Sequence, residues 1–300
     1  MNSLATLQDQ VKQEKNQTVA IANAGDETVL LAVKKAIELD LCSFILFGDE
    51  KQIIAIANDI NLDVKQGNIE VSHVVTNVAD EAVKAVHQQK ADILMKGHVP
   101  TKKILQAVLN KEYGLRTGNV LSHVALFEIP NQNRLFFLTD AAMNIEPDLN
   151  QKVQIVDNAV KVARGIGFRM PKVAVISPVE VVNPSIRSTL DAAALTQMQK
   201  RGQIKGCIVD GPLAFDNAIS LEAANQKNIT SEVAGKADLL MVPTIDVGNA
   251  LYKSFIYFAQ AKVAAIISGA KAPIILTSRA DSAESKLYSL SLALASSKTF

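Results

Sequence analysis

TVAIANAGDETVLLAVKKAIELD, residues 18–40, holds the pattern that decides the fold. Its first five residues form a short apolar run, too short for a helix and with no polar alternation, as a strand buried on both faces would. DETVLLAVKKAIELD then shows helical period. The same couplet returns along the chain. Strand-like runs occur at FILFG (44–48), IEVSHV (69–74), DILMK (92–96), KVAVIS (172–177), GCIVD (206–210), DLLMVP (238–243) and APIILT (272–277). Helix-like segments lie between them, among them ADEAVKAVHQQK, LNQKVQIVDNAVKVARGI and PSIRSTLDAAALTQMQKRG. Continuous apolar strands alternating with helices predict an α/β protein with a largely parallel sheet covered on both faces.

One region breaks the rhythm. VLSHVALFEI (120–129) and RLFFLT (134–139) are joined only by PNQN, which predicts a hairpin in place of a crossover. It lies near mid-chain, where a second lobe would begin. The expected division is a discontinuous first α/β lobe of residues 1–126 plus 267–300 and a second of residues 127–266.

Composition narrows the function. Of 300 residues, 48% are apolar and 20% charged, with net charge +1. That balance suits a soluble globular protein with a large core and gives no electrostatic case for nucleic acid or an anionic membrane. Trp is absent and aromatics make up 5%, too few for a base-stacking surface. MNSLATLQDQVKQEKNQ lacks the apolar core of a signal peptide, and no apolar run approaches the ~20 residues that span a bilayer. A cytoplasmic metabolic protein is expected. Cys42 and Cys207 sit in apolar runs and read as buried free thiols.

The polar residues worth weighing follow strand ends, where ligands bind in open α/β sheets. In MKGHVPTKK (95–103), Lys96 brings charge, Gly97 permits close backbone approach, and Pro100-Thr101 suits a helix start that favours anions; an ordinary strand–helix turn reads equally well. Ser122 and His123 are neighbours on a strand, point to opposite faces and cannot act as a nucleophile–base pair. In LTDAAMNIEPDLN, Thr139 and Asp140 end a strand, and the acid can bind ligand or cap a turn. VDGPLAFDNA offers a turn at Asp210-Gly211-Pro212 and a second acid, Asp216, at a helix start; the pair could hold a metal or simply shape the turn. In VPTIDVGNALYK, Gly248 in a first helical turn suggests close approach to a ligand, with Asn249 and Lys253 one turn apart on one face.

LTSRADSAESK (276–286) carries the densest set. Arg279 has a planar fork that matches phosphate, and Ser278 and Ser282 can donate to an oxyanion. Asp281 or Ser282 can cap the amphipathic helix expected to follow, with Glu284 or Ser285 in its first turn. HExxH, CxxC, EF-hand, P-loop, GxGxxG and GxSxG patterns are all absent, so no metal is expected. Strand-end Gly, Ser, Thr, Asn, Lys and Arg without an obvious covalent nucleophile suit the positioning of phosphate and two substrates.

MKGHVPT, TDAAMNIEP, VDGPLAFDNA, VPTIDVGNALYK and LTSRADSAESK, in that order, resemble the phosphate acetyl/butyryl transferase family over residues 17–298. VDGPLAFDNAIS and LTSRADSAESKL are closest to its butyryltransferase branch. The resemblance implies a two-lobed α/β/α fold like isocitrate and isopropylmalate dehydrogenases, a cleft between the lobes and a homo-oligomer. It implies no cofactor, coenzyme A being a substrate, and a place in short-chain fatty acid metabolism beside an acyl (butyrate) kinase. Acyl-CoA and phosphate would exchange the acyl group by direct attack in a ternary complex. Ser278 would donate to the oxyanion or leaving phosphate, and Arg279 would hold phosphate bidentately. The aspartate that the acetyltransferase branch carries seven residues after the serine is here Ser285, which leaves Asp281, Glu284 and Asp216 as candidate thiol bases. Lys96, Gly97, Thr101, Thr139, Asp140, Asp210, Gly211, Asn249 and Lys253 are the expected substrate-binding set. A phosphate acetyltransferase or other short-chain phosphate acyltransferase, and a non-catalytic CoA- or phosphate-binding protein, are the competing readings.

Overall fold

The structure is a computed structural model that describes residues 3–12, 17–277 and 281–300. Ser278 and Arg279 lie outside the described residues. The chain forms two compact units, one of Leu4–Asn119 with Val263–Lys298 and one of Val120–Lys262.

The discontinuous unit opens with helix α1 (Leu4–Val11) and strand β1 (Thr18–Ala22). There follow α2 (Glu27–Glu38), β2 (Ser43–Gly48), α3 (Glu50–Asp59), β3 (Ile69–His73), α4 (Val78–His87), β4 (Ile93–Lys96) and α5 (Thr101–Val108). The apolar runs are strands because they are buried on both faces; β4, for example, is buried at every position. Strands β1 to β4 pair in parallel in the order β3-β2-β1-β4. The chain steps outward from β1 to β3, and α4 then carries it back to β4 on the other side of β1. A crevice outside the carboxyl ends of β1 and β4 results.

The unit of residues 120–262 begins with β5 (Ser122–Glu128) and β6 (Leu135–Thr139), an antiparallel hairpin with Ala125 opposite Leu138 and Glu128 opposite Leu135. Next come α6 (Leu149–Gly165), β7 (Lys172–Ile176), α7 (Arg187–Lys200), β8 (Ile208–Leu213), α8 (Phe215–Ile219), α9 (Leu221–Gln226), β9 (Leu239–Met241) and α10 (Ile245–Tyr257). The strand order is β5-β6-β9-β7-β8, parallel from β6 onward. Asp148 caps α6 and closes a capping box with Gln151. Phe127, Phe136, Tyr252 and Phe255 meet edge-on or stacked between the hairpin and α10.

Back in the discontinuous unit, β10 (Lys262–Ser268), β11 (Ile274–Ile275) and α11 (Ala283–Ser296) complete the fold. β11 pairs in parallel with β4 and antiparallel with β10. The predicted strand series omitted β10. α11 also differs from the amphipathic helix expected: eleven of its fourteen residues are buried, and it packs against α1, α2 and β11. Its serines make this possible. Ser291 and Ser296 donate to the carbonyls of Leu287 (2.9 Å) and Leu292 (2.7 Å), and Ser289 accepts from the amide of Ala265 (3.0 Å).

The turn expected at Asp210-Gly211-Pro212 is instead strand, inside β8. Proline is tolerated there because β8 ends its unit's strand order and pairs only with β7, with a register shift between Ala174 and Ile176.

Candidate active site

The crevice at the ends of β1 and β4 contains a pocket lined by Asp26, Thr28, Val29, Lys96, Gly97, His98, Thr277 and Lys286. Parallel pairing places Ala22 opposite Lys96 and Met95 opposite Ile275, so the segments leaving β1, β4 and β11 all emerge there. The turns after β1 and β4 are stitched together. Gly97 N donates to Ala22 O (2.9 Å), His98 N to Asn23 O (2.7 Å), and Asn23 Nδ2 to His98 O (2.6 Å). Gly97 is required by this crossing of two protein backbones. A β-carbon there would land on the carbonyl oxygen of Asn23 and 2.8 Å from that of Ala22. The ligand approach expected of Gly97 is therefore an approach of chain to chain.

Two lysines are buried in the pocket. Lys96, 6% exposed, donates from Nζ to the carbonyls of Gly97 (3.4 Å) and Thr277 (3.3 Å). Lys286, 3% exposed and near the start of α11, donates to the carbonyl of Asp281 at 2.6 Å. Burial strips water from Lys286 and pulls its affinity for a proton below that of an ordinary lysine, against the opposing charges of Asp281 and Asp26. Asp26 caps α2. Burial alone would raise its pKa, but bonds from the Thr28 hydroxyl (2.7 Å) and Val29 amide (3.0 Å), with the charges of Lys286 and His98, hold it below the usual value. His98 Nδ1 stands 3.7 Å from Asp26 Oδ2. The Thr277 hydroxyl is buried and lacks a hydrogen-bond partner among the described residues. The free space of the pocket is about 10 Å³, room for about one water, and both amines already donate to main-chain carbonyls.

The other residues expected here divide as follows. Thr101 is exposed at the start of α5, whose preceding residue, Pro100, offers no side-chain cap. Ser282 caps α11, accepting from Ser285 N at 3.1 Å. Glu284 is exposed and accepts the Tyr288 hydroxyl at 2.9 Å.

In the unit of residues 120–262, Asp140 is buried and serves the turn after β6. Its carboxylate accepts from the amides of Ala142 (2.9 Å), Met143 (3.0 Å) and Asn144 (3.1 Å) and from Asn144 Nδ2 (2.6 Å). Thr139 Oγ1 donates to His123 O at 2.8 Å. Gly248 packs on this turn; a β-carbon would meet Asp140 O at 2.5 Å and Ala141 Cα at 2.9 Å, so here too the close approach is to backbone. Asn249 Nδ2 points to Ala141 O at 3.4 Å, beside a shallow groove lined by Ala141, Ala142, Ile245, Asp246, Asn249 and Ala250. Lys253 is exposed on α10. Asp210 and Gly211 lie on β8, which β9 and β7 separate from β6. Gly211 fits against Val175 and Ala192, and Asp210 Oδ1 accepts its amide at 2.9 Å. Asp216 is exposed on α8 and does not approach Asp140 or Asn249 through any hydrogen bond among the described residues.

Cys42 and Cys207 are unpaired and buried. Burial pushes both thiols up, Cys207 to about 12, so neither supplies a thiolate near neutral pH. Lys286, Asp26 and Thr277 were not singled out by sequence. Lys286 carries no local signal, because its burial depends on packing around α11.

Comparison with known proteins places this pocket in context. Residues 69–294 match the family described as "Phosphate acetyl/butaryl transferase". A Bacillus subtilis chain named "Probable phosphate butyryltransferase" is 56% identical over 288 residues, 95% of each chain. The Clostridium beijerinckii "Phosphate butyryltransferase" is 50% identical over 287 residues, covering 96% of this chain and 95% of that one. The solved structure of a branched-chain phosphotransacylase from Enterococcus faecalis V583 superposes with a TM-score of 0.82 at 39% identity, over 94% of this chain and 99% of that one. This chain belongs to the phosphate acetyl/butaryl transferase family.

Proposed function

We propose that the chain is a phosphate butyryltransferase: butanoyl-CoA and inorganic phosphate give butanoyl phosphate and CoA, reversibly. Family membership makes it a phosphate acyltransferase, and the observation that carries the butanoyl reading is 50–56% identity, nearly end to end, to two chains of that name.

The chemistry needs no covalent intermediate. Toward CoA, the thiol sulfur attacks the acyl carbon, the thiol proton passes to a base, and the C–O bond to phosphate breaks with its electrons going to phosphate oxygen. We read Ser278 as donor to the developing oxyanion and Arg279 as the bidentate holder of phosphate. Lys96 would add fixed positive charge in the neighbouring pocket. Much of the rate would come from holding two substrates in line. Among the described residues no helix is long and apolar enough to cross a membrane. We infer a cytoplasmic homo-oligomer that uses CoA as substrate, needs no other cofactor and passes its product to an acyl kinase. The layered plan of isocitrate and isopropylmalate dehydrogenases remains our reading of the architecture.

Phosphate-dependent thiol release tests the function. Purified protein should release CoA from butanoyl-CoA faster than from acetyl-CoA. Equal or better rates with acetyl-CoA would overturn the butanoyl assignment. The likeness to a branched-chain phosphotransacylase makes isobutanoyl-CoA the second substrate to compare.

A further inference from the structure

We propose that the discontinuous unit carries a second ligand site, at the opposite end of its sheet from the crevice, and that this site takes a nucleoside phosphate. It does not rest on the acyltransferase reading.

Topology makes the site. β1, β4 and β11 run parallel, so their amino ends also come together. Gln17 precedes β1, Asp92 precedes β4 and Pro273 precedes β11, and all three line one cleft. β1 is five residues long, which sets the cleft about 16 Å from the crevice at the carboxyl ends. The cleft holds about 440 Å³, within the range of roughly 300–1,000 Å³ typical of small-molecule sites, against about 10 Å³ for the pocket at Lys96. Its walls all belong to the discontinuous unit, and main-chain bonds fix them. Lys271 N donates to Leu115 O at 2.8 Å, and Leu94 N donates to Pro273 O at 3.2 Å.

The lining selects the ligand. Val86, Ala91, Leu115, Ala272 and Pro273 are buried and give the cleft an apolar surface, to which Phe300 adds a half-buried ring. Lys271 and Lys298 stand exposed on the wall and supply two positive charges. The carboxylate of Asp92 accepts the Thr18 amide at 2.8 Å, and His87 Nδ1 lies 3.1 Å from Gly114 O. Gln17 Nε2 donates to Ser297 Oγ (2.7 Å) and Leu294 O (3.3 Å). The amide oxygen of Gln17, however, is buried and lacks a hydrogen-bond partner among the described residues. An acceptor left in that state is costly, and a donor on a ligand removes the cost.

The three demands are met together by few small molecules. Inorganic phosphate answers the lysines but leaves the apolar surface bare. A fatty acid covers that surface and answers the lysines, but has no N–H or O–H for Gln17 once ionised. A nucleoside monophosphate brings phosphate oxygens for the lysines, hydroxyl or base N–H donors for Gln17, and a flat ring for the apolar surface.

Titration calorimetry with AMP tests this, with adenosine, inorganic phosphate and decanoate as comparisons. AMP should bind with a Kd of about 1 mM or tighter, and each of the other three about tenfold or more weakly. Lys271→Met/Lys298→Met should lose about tenfold or more in affinity for AMP while binding adenosine as the parent does. Lys253→Met, exposed on α10 in the other unit, should bind AMP as the parent does. If the double variant does not fold, Lys271→Met and Lys298→Met each carry the test, with about threefold weaker AMP binding expected. No AMP binding at about 10 mM overturns the proposal. So does parent affinity for AMP in the lysine variants, adenosine or decanoate binding as tightly as AMP, or a loss of AMP binding in Lys253→Met alone.

Discussion

Lys152 Nζ donates to Asp191 Oδ2 at 2.6 Å, tying α6 to α7 with side chains only 7% and 11% exposed. Arg187 Nε approaches the same carboxylate oxygen from 3.8 Å. Removing one partner of a buried pair leaves an uncompensated charge, which costs about 3–5 kcal/mol. Lys152→Met should fall at the low end of that range, because Arg187 remains. The double variant Lys152→Met/Asp191→Leu should recover most of the loss. Urea unfolding of the three proteins checks this, and a double variant no more stable than the single one would contradict it.

Gly97 and Gly67 make a controlled pair. A β-carbon at Gly97 collides with the Asn23 backbone, whereas at Gly67 it meets open space. Gly97→Ala should therefore cost about 1–3 kcal/mol through forced backbone shifts, and Gly67→Ala should be close to neutral. Equal urea midpoints would remove the packing explanation for Gly97.

Arg279→Ala should raise the KM for phosphate or lower kcat by about tenfold or more, equivalent to about 1.4 kcal/mol. Steady-state rates against phosphate concentration separate the two. A near-native enzyme would take Arg279 out of the site.

Asp26 links the pocket to acid stability. Its folded-state pKa is lowered from 3.8, so its ionised form stabilises the fold fully above that value and the contribution is lost as pH falls through the lowered pKa. Asparagine can keep the helix cap but not the charge. Asp26→Asn should cost about 0.3–1 kcal/mol at neutral pH, and the gap to the parent should close on acidification below 3.8. Thermal unfolding at a series of pH values would show it.

Much of the architecture was legible because parallel strands buried on both faces are written as continuous apolar runs, as in TVAIA and DILMK. The hairpin was legible from RLFFLT following so closely on VLSHVALFEI. What sequence hid was tertiary. β10, KVAAIIS, begins with an exposed lysine, and the four residues that part it from α10, Phe258-Ala259-Gln260-Ala261, include no glycine, proline, asparagine or aspartate to mark a turn. α11 looked two-faced because the hydroxyls of Ser289, Ser291 and Ser296 find partners inside the protein. Gly97 and Gly248 were recognisable as places of close approach, but not that protein backbone is what approaches. The order of the motifs made the family legible, and Lys96 and Gly97 of the pocket were legible from MKGHVPT. Lys286 was not, since an isolated lysine beside Ser285 carries no mark of the helices that bury it.

The pairing of β4 with β11 sets a condition on synthesis. As the chain leaves the ribosome, β1 to β4 and α2 appear early, but the strand that covers the edge of β4 and the helix that covers the face of α2 arrive only after residues 120–262 have been made. Until then β4 offers an unpaired edge and α2 an uncovered apolar face, both invitations to wrong association. The middle unit can mature on its own schedule. The unit that begins before residues 120–262 is completed only after them, and its pocket, which needs Thr277 and Lys286, does not exist until those two residues have been made.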